Sequence, residues 1–341
     1  MPISITGTVF RPVHSEPIAD QGQPGDRRNL QVMKRFLCFS ILVGLASLLP
    51  AKPKLDFQIT KEGVLVTESG EKVLFYQRTT KAQQGKHARA NYIHPLYDLS
   101  GNILTEDFPK DHPHHRGIFW AWHFLKVNGK RMGDGWTTSD RSWDVHQLKV
   151  EREKDESLTL HLNVHWKSIH WHQGKKPIVN ETTQIRIHPR ESNLRKIDFD
   201  IHLLATQPDT RIGGAENEKG YGGFSTRIKL PKDIQFTGKN GTLTPQRTSV
   251  SAGTWMDMNG KFNGGKTSGL TILCHPKSAG HPQPWILRNK KSMQNPVWPG
   301  QKPKILPQKT PVILRYRLIL HQGKASPESM DQWYLTYSKL Q

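Results

Sequence analysis

The stretch SLTLHLNVHW, Ser157 to Trp166, alternates without a break. Leu158, Leu160, Leu162, Val164 and Trp166 fall on one side of an extended chain. Thr159, His161, Asn163 and His165 fall on the other. Side chains of a strand point to opposite faces in turn, so a period of two predicts a strand with one buried face. The pattern returns in KIDFDIHLL, with Ile197, Phe199, Ile201 and Leu203 inward. It returns again in LRYRLIL, with Leu314, Tyr316, Leu318 and Leu320 inward. Shorter strands are expected at Leu55–Thr60, Val64–Thr67, Val73–Gln77, Ile118–Phe124, Val145–Arg152, Thr182–His188, Phe224–Lys229, Leu270–Cys274 and Pro284–Leu287. Turn pairs such as Asn128-Gly129 and Asn240-Gly241 separate such runs.

One helix is expected, in SPESMDQWYLTYSKL at the C-terminus. Ser326 can cap it, Pro327 suits its first turn, and Glu328 and Asp331 favour its N-terminal dipole. Met330, Trp333, Tyr334 and Tyr337 share a face that would dock on a sheet. Many strands and almost no helix predict an all-β fold, a large antiparallel β-sandwich with one C-terminal helix. Ten tryptophans and twelve phenylalanines supply the apolar area for such a core.

The N-terminus reads differently. Residues 1–32 are polar and aperiodic, a non-structural or mis-assigned extension, with Met33 the expected true start. Residues 33–51 follow the pattern of a secretory signal: Lys34 and Arg35, an apolar run from Phe36 to Leu49, then a cleavage region near Ala51. That run is shorter than the roughly 20 residues of a membrane-spanning helix. The protein is therefore expected to be exported to the periplasm or beyond, touching a membrane only through an uncleaved signal. Residues 52–341 form the expected single sandwich domain. Export would leave Cys274 as the one cysteine, so the fold would hold together without a disulfide.

The net charge is +20, or +18 once residues 1–51, with five Lys/Arg and three Asp/Glu, are set aside. The positive residues are scattered, in short loop-like groups such as Lys81, Lys86 and Arg89, or Arg288, Lys290 and Lys291. That distribution argues against nucleic acid and for a solvated surface among anionic envelope or polysaccharide material.

The chemistry concentrates in DHPHHRGIFWAW, Asp111 to Trp122. On an extended backbone His112 and His114 share a face and His115 points away. Two such histidines with a remote carboxylate could hold a divalent metal with open positions. Equally, histidine is a ready acid or base near neutral pH. Arg116 could grip a carboxylate, and Gly117 allows close approach to the backbone. In the following strand Trp120 and Trp122 face one way, and either face could be core or a stacking platform for sugar. Downstream, GDGW offers Asp134 and Trp136 in a Gly-rich loop. ENEKGYGGFSTR adds Glu216, Glu218, Lys219 and Tyr221 among glycines. Glu181 opens a strand. His281 and Trp285 lie in Pro-broken loops, where sandwich binding sites are often built.

These motifs, with EKGYGGFSTR, HPKSAGHPQPW and RYRLILHQG in the same order, resemble the exported bacterial family labelled PmoA-like, across nearly all of residues 55–340. The label implies a methane monooxygenase subunit, a protein with several membrane spans. The sequence after residue 51 has no apolar segment near 20 residues, which speaks against that activity. The resemblance further implies a galactose-mutarotase-type supersandwich, an architecture shared by sugar epimerases, polysaccharide lyases and some glycoside hydrolases. The leading expectation is thus a carbohydrate-processing enzyme. His112, His114 and Arg116 would orient or titrate on the sugar. Glu218, Lys219 or Tyr221 would supply the complementary acid or base. His115, Trp120, Trp122, Asp134, Trp136, Glu181, His281 and Trp285 would bind the substrate. Two alternatives stand beside it. One is a metal-dependent hydrolase or oxygenase using His112, His114 and Glu216 or Glu218. The other is a non-catalytic glycan-binding envelope protein.

Overall fold

The computed structural model describes residues 54–290 and 292–340. The expected extension and signal, residues 1–51, lie outside them. Two large antiparallel sheets carry the fold. The larger has nine strands. In spatial order its first five are Arg141–Arg152, Leu158–Ser168, Val179–Ile187, Leu194–Ala205 and Val312–Gln322. Ser268–Cys274, Trp255–Gly260, Gln235–Gly238 and Gly241–Leu243 complete it. The smaller sheet runs Leu55–Ile59, Gly63–Glu68, Glu71–Gln77, Tyr92–Leu96, Ile118–Ala121 and Gly223–Thr226. The expected antiparallel sandwich is present, with its single C-terminal helix at Pro327–Ser338.

Register turns the alternating pattern into a core. Leu160 pairs with Ile185, Ile185 with Phe199, Phe199 with Tyr316 and Tyr316 with Cys274. This apolar row crosses five strands, and every member is buried. The smaller sheet answers with Trp120 and Phe224. Phe224 stacks on Tyr316 at 4.5 Å between ring centroids, and Trp120 meets Phe199 edge-on at 6.2 Å. Such offset and edge-to-face contacts add to the area burial that drives sheets together.

Expectation and structure part at Ile118–Phe124. The first strand ends at Ala121, and Phe124–Val127 joins a separate four-stranded sheet with Lys130–Arg131, Thr210–Gly213 and Lys304–Ile305. The strand is interrupted at Trp122-His123. Trp122 stays in the core, where its indole N–H donates to the Trp298 carbonyl at 2.6 Å. Both faces of Ile118–Ala121 are buried. Trp120 closes the sandwich, while Phe119 and Ala121 join Tyr92, Trp136, Ile286, Met293 and Val297 in a second apolar cluster on the other side.

The helix docks as its pattern predicts. Ser326 Oγ accepts from the Ser329 N–H, and Met330 and Tyr337 pack on Trp255, Leu273 and Ile319. The Trp255 indole donates to Asp331 at 2.7 Å. Among the described residues no helix is long and apolar enough to cross a membrane.

The helix supplies a direct test. Met330 is 1% exposed and Leu335 51%. Met330→Ala should lower unfolding free energy by about 2–4 kcal/mol, and Leu335→Ala by about 0.5 kcal/mol or less, in urea titrations. Equal losses would mean that the helix does not dock in this way.

Candidate functional site

A cleft of about 330 Å³ opens over the second apolar cluster. It lies within the size range of small-molecule sites. His112, His114, His115, His123, Trp136, Lys219 and Tyr221 line it, together with Arg288, Lys290 and Met293. Five separate stretches of sequence meet there.

The histidine stretch is a turn, not the extended segment expected. The His115 N–H donates to the His112 carbonyl at 2.9 Å, and the His112 N–H to Pro109 at 3.1 Å. The turn stacks His112 on His115, 4.8 Å apart and 3° from parallel, with His114 edge-on to both. So His115 does not point away; it forms the inner wall.

Asp111 and His112 make the most usable pair. His112 Nδ1 lies 2.7 Å from Asp111 Oδ2. The other carboxylate oxygen accepts from Arg227 at 2.8 Å, and Arg227 also donates to Glu106 at 2.6 Å. Partial burial works against the Asp111 charge, yet the hydrogen bonds from Arg227 and His112 hold its carboxyl at about 2. An ionised partner on Nδ1 fixes the tautomer and leaves Nε2 for proton exchange. The His112 side chain is 43% exposed, so that nitrogen is reachable.

A second pair adjoins the cleft through His123, which lines it. His123 Nδ1 is 2.8 Å from Asp134 Oδ2, and Asp134 Oδ1 accepts the backbone N–H groups of Trp136 and Thr137. Burial raises the Asp134 carboxyl, but His123 and those N–H groups together bring it below the usual range. The His123 ring is packed on Trp136 and Tyr221, and its Nε2 is buried without a hydrogen-bond partner. Tyr221 has its hydroxyl acidity weakened by burial and by the Asp134 charge, so the group remains an O–H donor.

Burial, helped by His112 and Arg89, lowers His114 to about 4. Burial, with His114 and His112, lowers His115 to about 2. Both are neutral at pH 7.

Several expected site residues lie elsewhere. Arg116 is fully enclosed and does not face the cleft. It donates to Asp107, to the Lys81 and His87 carbonyls and to the Tyr92 hydroxyl, beneath Phe108. It positions the histidine turn from behind. Gly117, at φ +51°, makes room for the Ile93 carbonyl, which an added Cβ would meet at 2.0 Å; the close approach is internal. Trp120, Trp122 and Trp285 are core residues, at most 2% exposed, so they cannot stack on a ligand. Glu181 is buried in the sandwich, where it accepts from Asn91, Thr183 and the Trp166 indole. Its acidity is weakened by burial. Asp134 does not line the cleft; its carboxylate is bonded to His123 and to the Trp136 and Thr137 N–H groups behind it. His281 lies by the helix, 3.3 Å from the Tyr334 hydroxyl, because the loop after Ser268–Cys274 runs under that helix.

Glu218 and Glu216 also stay out of the cleft, paired with Arg247 at 2.7 Å and Arg131 at 2.6 Å. The expected metal set therefore does not assemble: among the described residues no third His, Cys, Asp or Glu joins His112 and His114 with all donor atoms within 4.8 Å of one another. The described residues do contain one group of that kind, Glu151, Glu153 and His161, which could hold an ion. It lies on the Arg141–Arg152/Leu158–Ser168 pair and does not line the cleft.

Sequence reasoning missed His123 and Arg288. His123 had one available signal, an aspartate eleven residues on across a tight hairpin. Arg288 is set by buried Gln294, which bonds its backbone N–H and carbonyl. Arg89, which holds the Trp136 loop through the Gly135 and Trp136 carbonyls, carried no signal.

The two depressed histidines make stability depend on pH. Both bind a proton more weakly in the folded chain than at their ordinary 6.5. The unfolded chain thus takes up more protons as pH falls. Their contribution is complete above about 6.5 and is lost as pH falls, the His114 part by about 4 and the His115 part continuing toward about 2. Urea midpoints should decline across that window, and His114→Gln should flatten the slope. An unchanged slope in the variant would contradict the burial of His114.

No curated protein matches the chain. Residues 63–334 match the model of a family of unknown function, DUF6807. That match spans most of both large sheets and the whole cleft, so the chain belongs to the DUF6807 family.

Proposed function

We propose that the protein is a carbohydrate-active enzyme in which His112, oriented by Asp111, moves a proton on a bound sugar. The Asp111–His112 pair at the mouth of an aromatic-walled cleft carries this reading. Tyr221 offers ring surface for the apolar C–H face of a sugar, Trp136, 1% exposed, backs that ring from the core rather than stacking on the ligand, and Thr137 and Lys219 offer donors for the sugar's hydroxyls. The general acid or base named from sequence narrows to Lys219 or Tyr221, since Glu218 is turned away.

The lining favours one kind of chemistry. Glycoside hydrolysis ordinarily uses two carboxyl groups about 5–9.5 Å apart. Among the described residues no Asp or Glu lines this cleft. Abstraction of a proton from carbon next to a carbonyl or carboxyl group suits it better. His112 Nε2 takes the proton, and the electron pair moves onto the adjoining carbonyl oxygen. Return of a proton from the Tyr221 hydroxyl to carbon gives epimerisation. Loss of the neighbouring C–O bond, with that oxygen protonated by Tyr221, gives elimination. Asp111 stabilises the imidazolium formed in between.

His112→Asn should cut turnover by about 10²–10⁴-fold on any glycan the wild type processes. Its melting temperature should stay close to that of the wild type. Substrate recovered from heavy water should carry deuterium at one carbon with the wild type and not with the variant. Full turnover by His112→Asn would overturn the assignment. Tight glycan binding with neither product nor deuterium would favour a non-catalytic binding protein.

A further inference from the structure

A second hollow, of about 550 Å³, lies beside the histidine cleft. The two share Lys290 and Ser292 in their walls. They also meet at the central pair, since Asp111 lines the second hollow and its partner His112 lines the first. Together they form one groove with the proton-transfer pair at its waist. Each half alone has the volume of a small-molecule site, so the whole accepts a ligand longer than one sugar unit.

The charge of the groove is one-sided. Lys219, Arg288 and Lys290 line the first half, and Lys110, Lys232 and Lys290 the second. None of these five has a carboxylate within ion-pair distance among the described residues. Glu106 and Asp111 are the only carboxylates in either wall, and both are bonded to Arg227. A concave surface lined by one sign of charge focuses its field and concentrates ligands of the opposite sign. Amine and guanidinium groups are natural partners of carboxylates.

We infer that the groove binds an anionic glycan chain whose units carry carboxylates. One unit lies in the histidine cleft, the next lies over Lys110 and Lys232, and the bond between them passes His112. The inference rests on the carbohydrate reading above and deepens it by naming the substrate class. The same carboxylate explains the chemistry, because it acidifies the ring C–H beside it and a nearby lysine can offset the charge that develops.

The test is calorimetric binding of the full chain to uronate tetrasaccharides from pectin and alginate. The comparison ligands are their methyl esters, neutral tetrasaccharides of glucose and galactose, and a sulfated glycan. Uronate chains should bind at least roughly tenfold tighter than their esters, and the difference should shrink as salt rises. The double variant Lys110→Gln/Lys232→Gln should lose about tenfold in affinity for the uronate chain without a change in melting temperature. Equal or tighter binding of esters or neutral chains overturns the inference, as does binding confined to the sulfated glycan. An unchanged double variant removes the second hollow as a subsite. If neutral chains are bound and processed with dependence on His112, this inference fails and the proposed function stands. If no glycan of any charge binds, both fail.

Discussion

Ile118–Ala121 is buried on both faces, and the rest of the structure is arranged around that constraint. Trp120 points into the sandwich and meets Phe199 of the larger sheet's apolar row. Phe119 and Ala121 point the other way and pack in one apolar cluster with Trp136 and Met293, which line the cleft. A four-residue strand thus closes the main core and supports the site. The histidine turn precedes it through Arg116 and Gly117, and His123 follows where it breaks. Movement of this strand would disturb core and cleft together.

The polar groups around the cleft are organised by ions held behind it. Arg116 binds Asp107 and two carbonyls under the histidine turn, Arg89 binds two carbonyls under the Trp136 loop, and Arg227 joins Glu106 to Asp111. Each guanidinium is buried and multiply bonded, which suits its planar set of donors. The surfaces they support are histidines and hydroxyls, with carboxylates in the second rank. A carboxylate behind each of two imidazoles fixes a tautomer without placing negative charge in the cleft itself.

Much of the fold was legible in the sequence because alternation of apolar residues has few other physical causes. The strands around Leu160, Phe199 and Tyr316 are found where their patterns put them, and the helix docks on the face that Met330 and Tyr337 mark. The site was legible only in part. His112, His114, Lys219, Tyr221 and Trp136 do share one cleft, although they come from three loops. The tryptophans misled, because an alternating aromatic strand looks alike whether its faces meet core or solvent. Arg116 misled for a related reason: sequence shows a charge beside histidines but not the acceptors at Lys81 and His87 that enclose it. His123 was passed over because its importance comes from a strand break, and nothing local announces that Trp122 stays in the core.

The most direct measurement is a histidine-selective NMR titration of the full chain with uronate and neutral oligosaccharides. The account predicts that His112, His114, His115 and His123 shift together on addition of a glycan, while His275 and His281, which pack against the C-terminal helix and its end, stay in place. Shifts confined to His275 and His281 would contradict it and move the site to the opposite part of the fold.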